Sequence, residues 1–384
     1  MRIAMVSETW APDINGVAHT LGQLSRELHR RGVSIQLVRP APREPGRAEH
    51  VASELQVRGF RAPGYPDVQL GLPTRRRLLA LWREQRPDAI YVATEGPLGW
   101  SALNAARRLG IPVVSGFHTN FDHYAGDYGW RWLAWPVRAV LRHFHNRTRA
   151  TLVPTRQRAD ELARCGFRGV RVMARGIDTR HFGPHRRDPA LRREWGVDPQ
   201  QPVLLHVGRL AQEKNLDLLI ESYRAMRATS PALQLVIVGD GPLRGELERR
   251  LPEAIYTGFV DSDSLARHYA SADLFVFPSR SETYGNVVLE AMASELGIVA
   301  FDYAAAAAMI ETGHHGFTVA LDDDQGFIDA ALALCRNPGL AARLGRAARL
   351  RVEPQGWSSI ADDFLATLRH VQETPHDTPQ PSGV

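Results

Sequence analysis

Residues 273–294 run DLFVFPSRSETYGNVVLEAMAS. DLFVFP is a short apolar run closed by proline, which suits a strand buried on both faces. NVVLEAMAS carries helical spacing, and SRSETYG between them is a polar exit turn. A strand that enters a helix through such a turn belongs to a parallel sheet.

The same alternation runs along the chain. Strand candidates in the first half are residues 3–7, 34–38, 88–93, 111–117, 150–154 and 170–174, with helical patterns over 18–31, 73–85 and 98–109 between them. The cycle restarts with 203–208, 234–239, 254–259, 273–278, 297–302 and 316–321. Strands apolar throughout and separated by amphipathic helices predict an α/β chain of two doubly wound parallel sheets, each Rossmann-like. A length of 384 residues agrees with two cores. The polar, proline-containing stretch 179–190 is the expected linker, which gives domains of residues 1–185 and 186–355. A closing helix over 356–373 and a polar, proline-rich tail over 374–384 follow.

Residues 1–185 hold 28 Arg against 15 acidic residues, net +13; the remaining 19 basic and 27 acidic residues give −8. A basic first half points to an anionic surface or an acidic small molecule, or to a solvated arginine-rich surface. No nucleic-acid module accompanies the excess. No apolar run approaches the length of a membrane span, and the first residues before Glu8 are too few for a signal-peptide core. Cys165 and Cys335 form neither a disulfide framework nor a metal cluster, which fits a reducing cytoplasm. The 47 basic residues comprise 46 Arg and one Lys, Lys214. A lone ammonium in an arginine-rich chain marks a place where a compact charge is wanted, unless it survives by chance.

Ligands of parallel sheets bind beyond the carboxyl ends of the strands, so the strand-to-helix turns are where chemistry is sought. In the first, Asn15-Gly16 lets backbone approach a ligand, or is an ordinary turn. In VGRLAQEKN, Arg209 and Lys214 stand five positions apart, and a guanidinium and an ammonium can divide a diphosphate between them. In the opening stretch Glu282 lies before the helix and Glu290 within it. Two carboxylates on one wall can each accept from a pair of sugar hydroxyls, while the amides around Tyr284, Gly285, Asn286 and Val287 favour phosphate.

NGVAHT, SGFHTNF, RGIDTRHF, VGRLAQEKN, VGDGPL and FPSRSETYGNVVLEAMAS, in this order, resemble the GT-B glycosyltransferases of family 4, retaining enzymes related to bacterial α-mannosyltransferases and glycolipid synthases. The resemblance spans about residues 1–355. It implies an acceptor domain and a nucleotide-sugar domain facing a cleft. Glu282 then holds donor-sugar hydroxyls, Glu290 the ribose, Arg209 and Lys214 the departing diphosphate, Gly16 the donor from the other domain, and His118 the reacting sugar. It implies GDP-mannose as first-choice donor, with UDP-hexoses next, and turnover without metal or other cofactor.

Asp261-Ser262-Asp263 and Asp322-Asp323-Asp324 precede helical patterns and read as caps rather than metal ligands. Gly239-x-Gly241 lacks the third glycine of a dinucleotide motif, Arg244 standing there. Relatives continue the Glu-x7-Glu helix with Ala-Ser-Gly-x-Pro; this chain has Glu295 and Gly297 at the glycine and proline positions. Over 129–149, Trp130, Leu133, Val137, Val140, Leu141 and Phe144 make one helical stripe opposite Arg131, Arg138, Arg142, His145 and Arg149. That pattern suits the cytoplasmic face of an anionic membrane and a lipid-linked acceptor, or a domain helix with wet arginines. A soluble acceptor, a non-hydrolysing sugar-nucleotide epimerase, a pyridoxal-phosphate phosphorylase using Lys214 and a non-enzymatic sugar-nucleotide binder are the alternatives.

Overall fold

All twelve apolar runs form strands. The structure is a computed structural model that describes residues 1–13, 15–42, 46–62, 65–118 and 134–373. The chain divides into two units, one made of residues up to Ala174 together with those from Trp357 on, the other of Arg175–Gly356.

In the first unit the strands are β1 (Arg2–Val6), β2 (Ser34–Pro40), β3 (Ser53–Val57), β4 (Gly59–Ala62), β5 (Tyr65–Gly71), β6 (Ala89–Val92), β7 (Val113–Gly116), β8 (Ala150–Val153) and β9 (Val170–Val172). Seven make a sheet of order β3-β2-β1-β6-β7-β8-β9, parallel throughout. β4 and β5 pair separately as an antiparallel hairpin. Its helices are α1 (Gly16–Arg30), α2 (Arg75–Glu84), α3 (Pro97–Leu109), α4 (Ala134–His145) and α5 (Arg156–Arg164).

Strand alternation assigns the two faces of this sheet. Ile3 and Met5 pack with Leu21, Leu24 and Leu28 of α1 and with Phe364 and Leu368 of the closing helix. Ala4 and Val6 point the other way, onto Leu78 and Trp82 of α2 and Leu98 and Ala102 of α3. Each such aliphatic side chain contributes about 1.5–3 kcal/mol by leaving water.

The second unit repeats the plan. β10 (Val203–Val207), β11 (Gln234–Val238), β12 (Ile255–Gly258), β13 (Leu274–Phe277), β14 (Gly297–Phe301) and β15 (Phe317–Val319) form a parallel sheet of order β12-β11-β10-β13-β14-β15. Around it lie α6 (Pro189–Glu194), α7 (Leu216–Thr229), α8 (Arg244–Arg250), α9 (Ser262–Ser271), α10 (Asn286–Ala293), α11 (Ala304–Met309), α12 (Asp324–Arg336) and α13 (Pro338–Val352). The final helix, α14 (Trp357–Glu373), lies against α1 in the first unit, and Phe364 meets Tyr91 edge-on at 5.0 Å. The tail 374–384 lies outside the described residues.

Three expectations need correction. The stretch 179–190 is not a linker, because the second unit already begins at Arg175. Phe182 is buried against Tyr269, Arg187 reaches the Ala270 and Ala272 carbonyls and Asp273, and Asp188 caps α6. Its polar residues anchor chain instead of solvating it. The edge strand β3 and the β4–β5 hairpin were not anticipated, because their residues lack the continuous apolar run of a doubly buried strand.

The third concerns α4. Val137, Leu141 and Phe144 turn inward, but Val140 is 55% and Trp135 77% exposed, while His145 is fully buried and Arg138 reaches Cys165. The stripe is rotated from the predicted one, and His145 leaves the basic face to become a core residue. Trp130, Arg131 and Leu133 lie outside the described residues.

Candidate functional site

In the second unit the strand order reverses between β10 and β13, the point at which open parallel sheets take ligands. The chain leaving β10 passes Gly208 and Arg209 into a single 3-10 turn, Gln212–Lys214, and Asn215 in the left-handed region (φ 52°) then starts α7. The chain leaving β13 runs to Gly285 (φ 89°), a conformation that favours glycine, and enters α10 without a side-chain cap. The amides of Gly285, Asn286 and Val287 have no acceptor among the described residues. They form the positive end of a helix dipole.

Lys214 and Glu282 meet here. The Lys214 ammonium donates to Glu282 Oε1, with the two side chains 15% and 14% exposed. The same ammonium lies 5.5 Å from the Phe277 ring centre. Behind Phe277, His206 stacks at 6.4 Å and donates through Nδ1 to the Val276 carbonyl at 3.2 Å. Burial first, and then the Lys214 charge, push its pKa down to about 4. A neutral, apolar floor strengthens every charge interaction above it.

Tyr284 is buried, and burial raises its phenol to about 12 although the neighbouring Arg175 pulls it down. Its carbonyl accepts from Ala305 at 2.8 Å, so both ends of this residue fix the turn before Gly285. Glu290 lies in the body of α10, opposite the Tyr269 phenol. Burial raises its carboxyl to about 7, against the opposing pull of that phenol. The side-chain amide oxygen of Asn286 is buried without a hydrogen-bond partner among the described residues. Arg209 stands apart from Lys214: its side chain is 64% exposed and lies 3.9 Å from Glu213. The geometry therefore joins Lys214, Glu282 and the α10 amides, and leaves Arg209 at the rim.

Close approach of the loops shapes this edge. A Cβ on Gly239 would lie 2.0 Å from the Gly208 carbonyl, and one on Gly241 2.4 Å from the Leu210 carbonyl. These two glycines serve loop packing, in line with the failed dinucleotide motif. Asp261 and Asp323 cap α9 and α12 by accepting from Ser264 and Gly326 at 2.7 and 2.8 Å, as the cap reading expects. Glu295 holds the left-handed position (φ 64°), with Arg349 3.8 Å away. Gly297 donates to the Asp273 carbonyl at 3.1 Å, a bond that proline could not make.

In the first unit, Asn15 caps α1 by accepting from Val17 and Ala18 at 3.1 and 2.9 Å. A Cβ on Gly16 would meet nothing within 4 Å, so packing in this unit does not require a glycine there. His118 follows β7 and is 6% exposed, with Nε2 2.8 Å from the Tyr91 hydroxyl. Gly116 makes that contact possible, since a Cβ would fall 2.3 Å from the phenol oxygen and 2.4 Å from His118 Nε2.

Sequence reasoning missed two carboxylates at this edge. Glu8 accepts from Gly71 and Leu98 amides at 3.1 and 3.0 Å, and burial raises its carboxyl to about 7. Glu95 pairs with His145 Nε2 at 3.0 Å, and His145 Nδ1 lies 2.8 Å from Ser115 Oγ. Ser115 is completely buried and also meets Thr148 and Thr151, so this is a core network and not an exposed nucleophile. Only the spacing of EGP after a strand could have signalled Glu95.

Two family profiles match the chain: "Glycosyltransferase Family 4" over residues 14–181 and "Glycosyl transferases group 1" over 201–337. The chain is 34% identical over 376 residues to a GDP-mannose-dependent α-mannosyltransferase of Mycobacterium tuberculosis, covering 97% of each chain. The Mycolicibacterium smegmatis counterpart is also 34% identical, covering 97% of this chain and 98% of the relative. A GDP-mannose-dependent α-(1-6)-phosphatidylinositol dimannoside mannosyltransferase of M. tuberculosis is 30% identical over 96% of both. Among solved structures, sucrose-phosphate synthase of Thermosynechococcus elongatus superposes with TM-score 0.76 at 19% identity, over 96% of this chain and 98% of that one. The Anabaena protein HepE in complex with UDP gives TM-score 0.76 at 19% identity, over 96% and 100%.

Proposed function

This chain belongs to the family 4 glycosyltransferases and has the GT-B fold, and on that premise we propose that it transfers mannose from GDP-mannose to a lipid-linked hydroxyl at a membrane surface, retaining the anomeric configuration. The observation that carries the reading is the meeting of Lys214, Glu282 and the uncapped first turn of α10. That edge suits a diphosphate whose sugar hydroxyls reach a carboxylate.

Breaking the bond between sugar and diphosphate places negative charge on the leaving group and positive character on the sugar ring. Fixed donors aimed at the leaving group lower the barrier. Lys214 and the amides of Gly285, Asn286 and Val287 take the diphosphate, with Arg209 closing on it from the rim. Lys214 then exchanges its Glu282 partner for phosphate, and Glu282 accepts from donor-sugar hydroxyls. Glu290 accepts from the ribose. The family resemblance assigns Gly16 to donor contact and His118, its ring set by Tyr91, to the reacting sugar. These cations perform the charge neutralisation for which other transferases use a divalent ion, so turnover proceeds without metal. Neither a metal nor an organic cofactor enters the scheme.

Mannose and GDP are supported by the relatives named above, and UDP-hexoses are the next donors to try. The membrane reading is supported by α4 and the turn after it, where exposed Trp135 and Val140 accompany exposed Arg142, His143 and Arg147. Arg147 lies close enough to Arg107 to have its pKa lowered, by burial first and then by that like charge. Neither arginine has a carboxylate partner among the described residues. No helix among them is long and apolar enough to cross a membrane.

Two measurements test the reading. GDP-mannose should raise the melting temperature more than UDP-glucose does, with transfer persisting in EDTA; loss of activity in EDTA and its return with manganese contradicts metal independence. Anionic liposomes should co-sediment the protein at low salt, and absence of binding there removes the membrane assignment.

A further inference from the structure

The N-terminal end of α3 forms one wall of an open groove in the first unit, with a volume of about 560 Å³, lined by Pro73, Glu95, Pro97, Trp100, Ser101 and Asn104. That volume lies within the roughly 300–1,000 Å³ of small-molecule sites. We propose that this groove is a subsite for one sugar ring of the acceptor, an inference that rests on the transferase reading above and assigns the acceptor's substrate class.

The walls are held from behind. Glu8 ties the end of the β4–β5 hairpin to the first turn of α3 through the Gly71 and Leu98 amides. Gly96 lies directly over it, since a Cβ there would sit 2.1 Å from Glu8 Oε1. Trp100 is braced by Phe144, edge-on at 5.0 Å, and by His143, stacked at 5.9 Å. Ser101 Oγ accepts from the Thr74 amide at 3.2 Å and donates to the Pro97 carbonyl at 3.0 Å. A site so pre-ordered loses little entropy when a ligand enters.

The chemistry selects the occupant. Glu95 is 7% exposed at its side chain, and His145 takes only Oε1, at 3.0 Å. Oε2 has no hydrogen bond among the described residues. An accessible carboxylate oxygen without a protein donor suits a ligand hydroxyl and disfavours an anion. Asn104, exposed on the same helix, offers both a donor and an acceptor. Pro73, Pro97 and Trp100 supply apolar surface for the C–H face of a ring. An acyl chain would satisfy the prolines and tryptophan but would bury Glu95 Oε2 unpaired. A sugar satisfies both.

The test uses full-length protein and two probes below their micellar concentrations: octyl α-D-glucopyranoside, and octyl tetraethylene glycol, which has a similar tail and no ring. Saturation-transfer NMR reads binding without any need for turnover. The glucoside should bind the wild type and lose at least tenfold in affinity in Asn104→Trp, which fills the groove from an exposed position, and in Glu95→Gln, which presents an amide donor where an acceptor is needed. Trp100→Phe should keep binding within about threefold. Melting curves matching wild type establish that the variants are folded. Equal binding of both probes assigns the groove to an acyl chain and overturns the proposal, as does glucoside binding unchanged in Asn104→Trp. With GDP-mannose added, hexosyl diacylglycerol in phosphatidylglycerol vesicles should accept mannose at least tenfold better than diacylglycerol, and Asn104→Trp should raise the acceptor KM more than it lowers kcat. Glucoside binding without any mannose transfer to either lipid defeats the transferase reading of the acceptor and leaves the sugar subsite standing; transfer to both lipids at equal rate defeats the subsite alone.

Discussion

The Lys214 ammonium donates to Glu282 Oε1 across 68 positions of sequence, joining the exit of β10 to the exit of β13. The lone lysine of the chain thus lies where a point charge is used. Without donor, Glu282→Gln leaves that ammonium with a neutral partner above Phe277 and His206. We expect a loss of about 1–3 kcal/mol in unfolding free energy, read by urea denaturation. No change would mean that water already serves Lys214 as well as Glu282 does.

Glu290 titrates in a useful range. Burial raises its carboxyl from 4.5 to about 7, so it is protonated below that pH and ionised above it. A carboxylate accepts from two ribose hydroxyls better than the neutral acid does. Donor KM should therefore fall as pH rises through about 7, and Glu290→Gln should flatten that limb while raising KM. A wild-type KM independent of pH from 5.5 to 8.5 speaks against the ribose role.

Glu8 has a pKa shifted in the same direction, and here it bears on stability. Its folded pKa of about 7 exceeds the ordinary 4.5, so the folded state binds more protons than the unfolded state between those values. Its contribution is complete below about 4.5, declines as pH rises, and is gone above about 7. Glu8→Gln should flatten part of the fall in melting temperature across that window; an unchanged slope excludes Glu8 as its source.

Glu295 occupies a left-handed position at φ 64°, where a glycine relieves about 1 kcal/mol. Its contact with Arg349, at 3.8 Å, is too long to offset that in full. Glu295→Gly should raise the stability of the second unit by somewhat less than 1 kcal/mol, measured by thermal melting. A decrease would show the Arg349 contact to be worth more than the strain.

The parts of the fold legible from sequence are those decided by burial on two faces. β1, β10 and β13 are short apolar runs because helices cover both sides of each sheet. β3 sits at an edge and carries Glu54 and Gln56, so its pattern is diluted. The 179–190 stretch misled for a related reason: Arg187 and Asp188 look solvated, yet their partners Asp273 and Arg267 come from about 80 positions away. At the candidate site, Lys214, Glu282 and Gly285 are visible because helix ends and charge pairs leave local signals. Glu8, Glu95 and His206 are not, since each acquires its environment only when distant strands align. The helical wheel failed at α4 because composition shows which residues are apolar but not which side the core lies on; Val140 faces out and His145 is drawn in by Glu95.

The central claim is that Lys214 and Glu282 together bind and activate a sugar nucleotide. Its most direct measurement is mannose transfer from GDP-mannose in EDTA by wild type, Lys214→Ala and Glu282→Ala, each shown by its melting curve to be folded. The account predicts a loss of at least about a hundredfold in kcat/KM for each variant, with weakened donor binding. Transfer and donor affinity equal to wild type in either variant would contradict it.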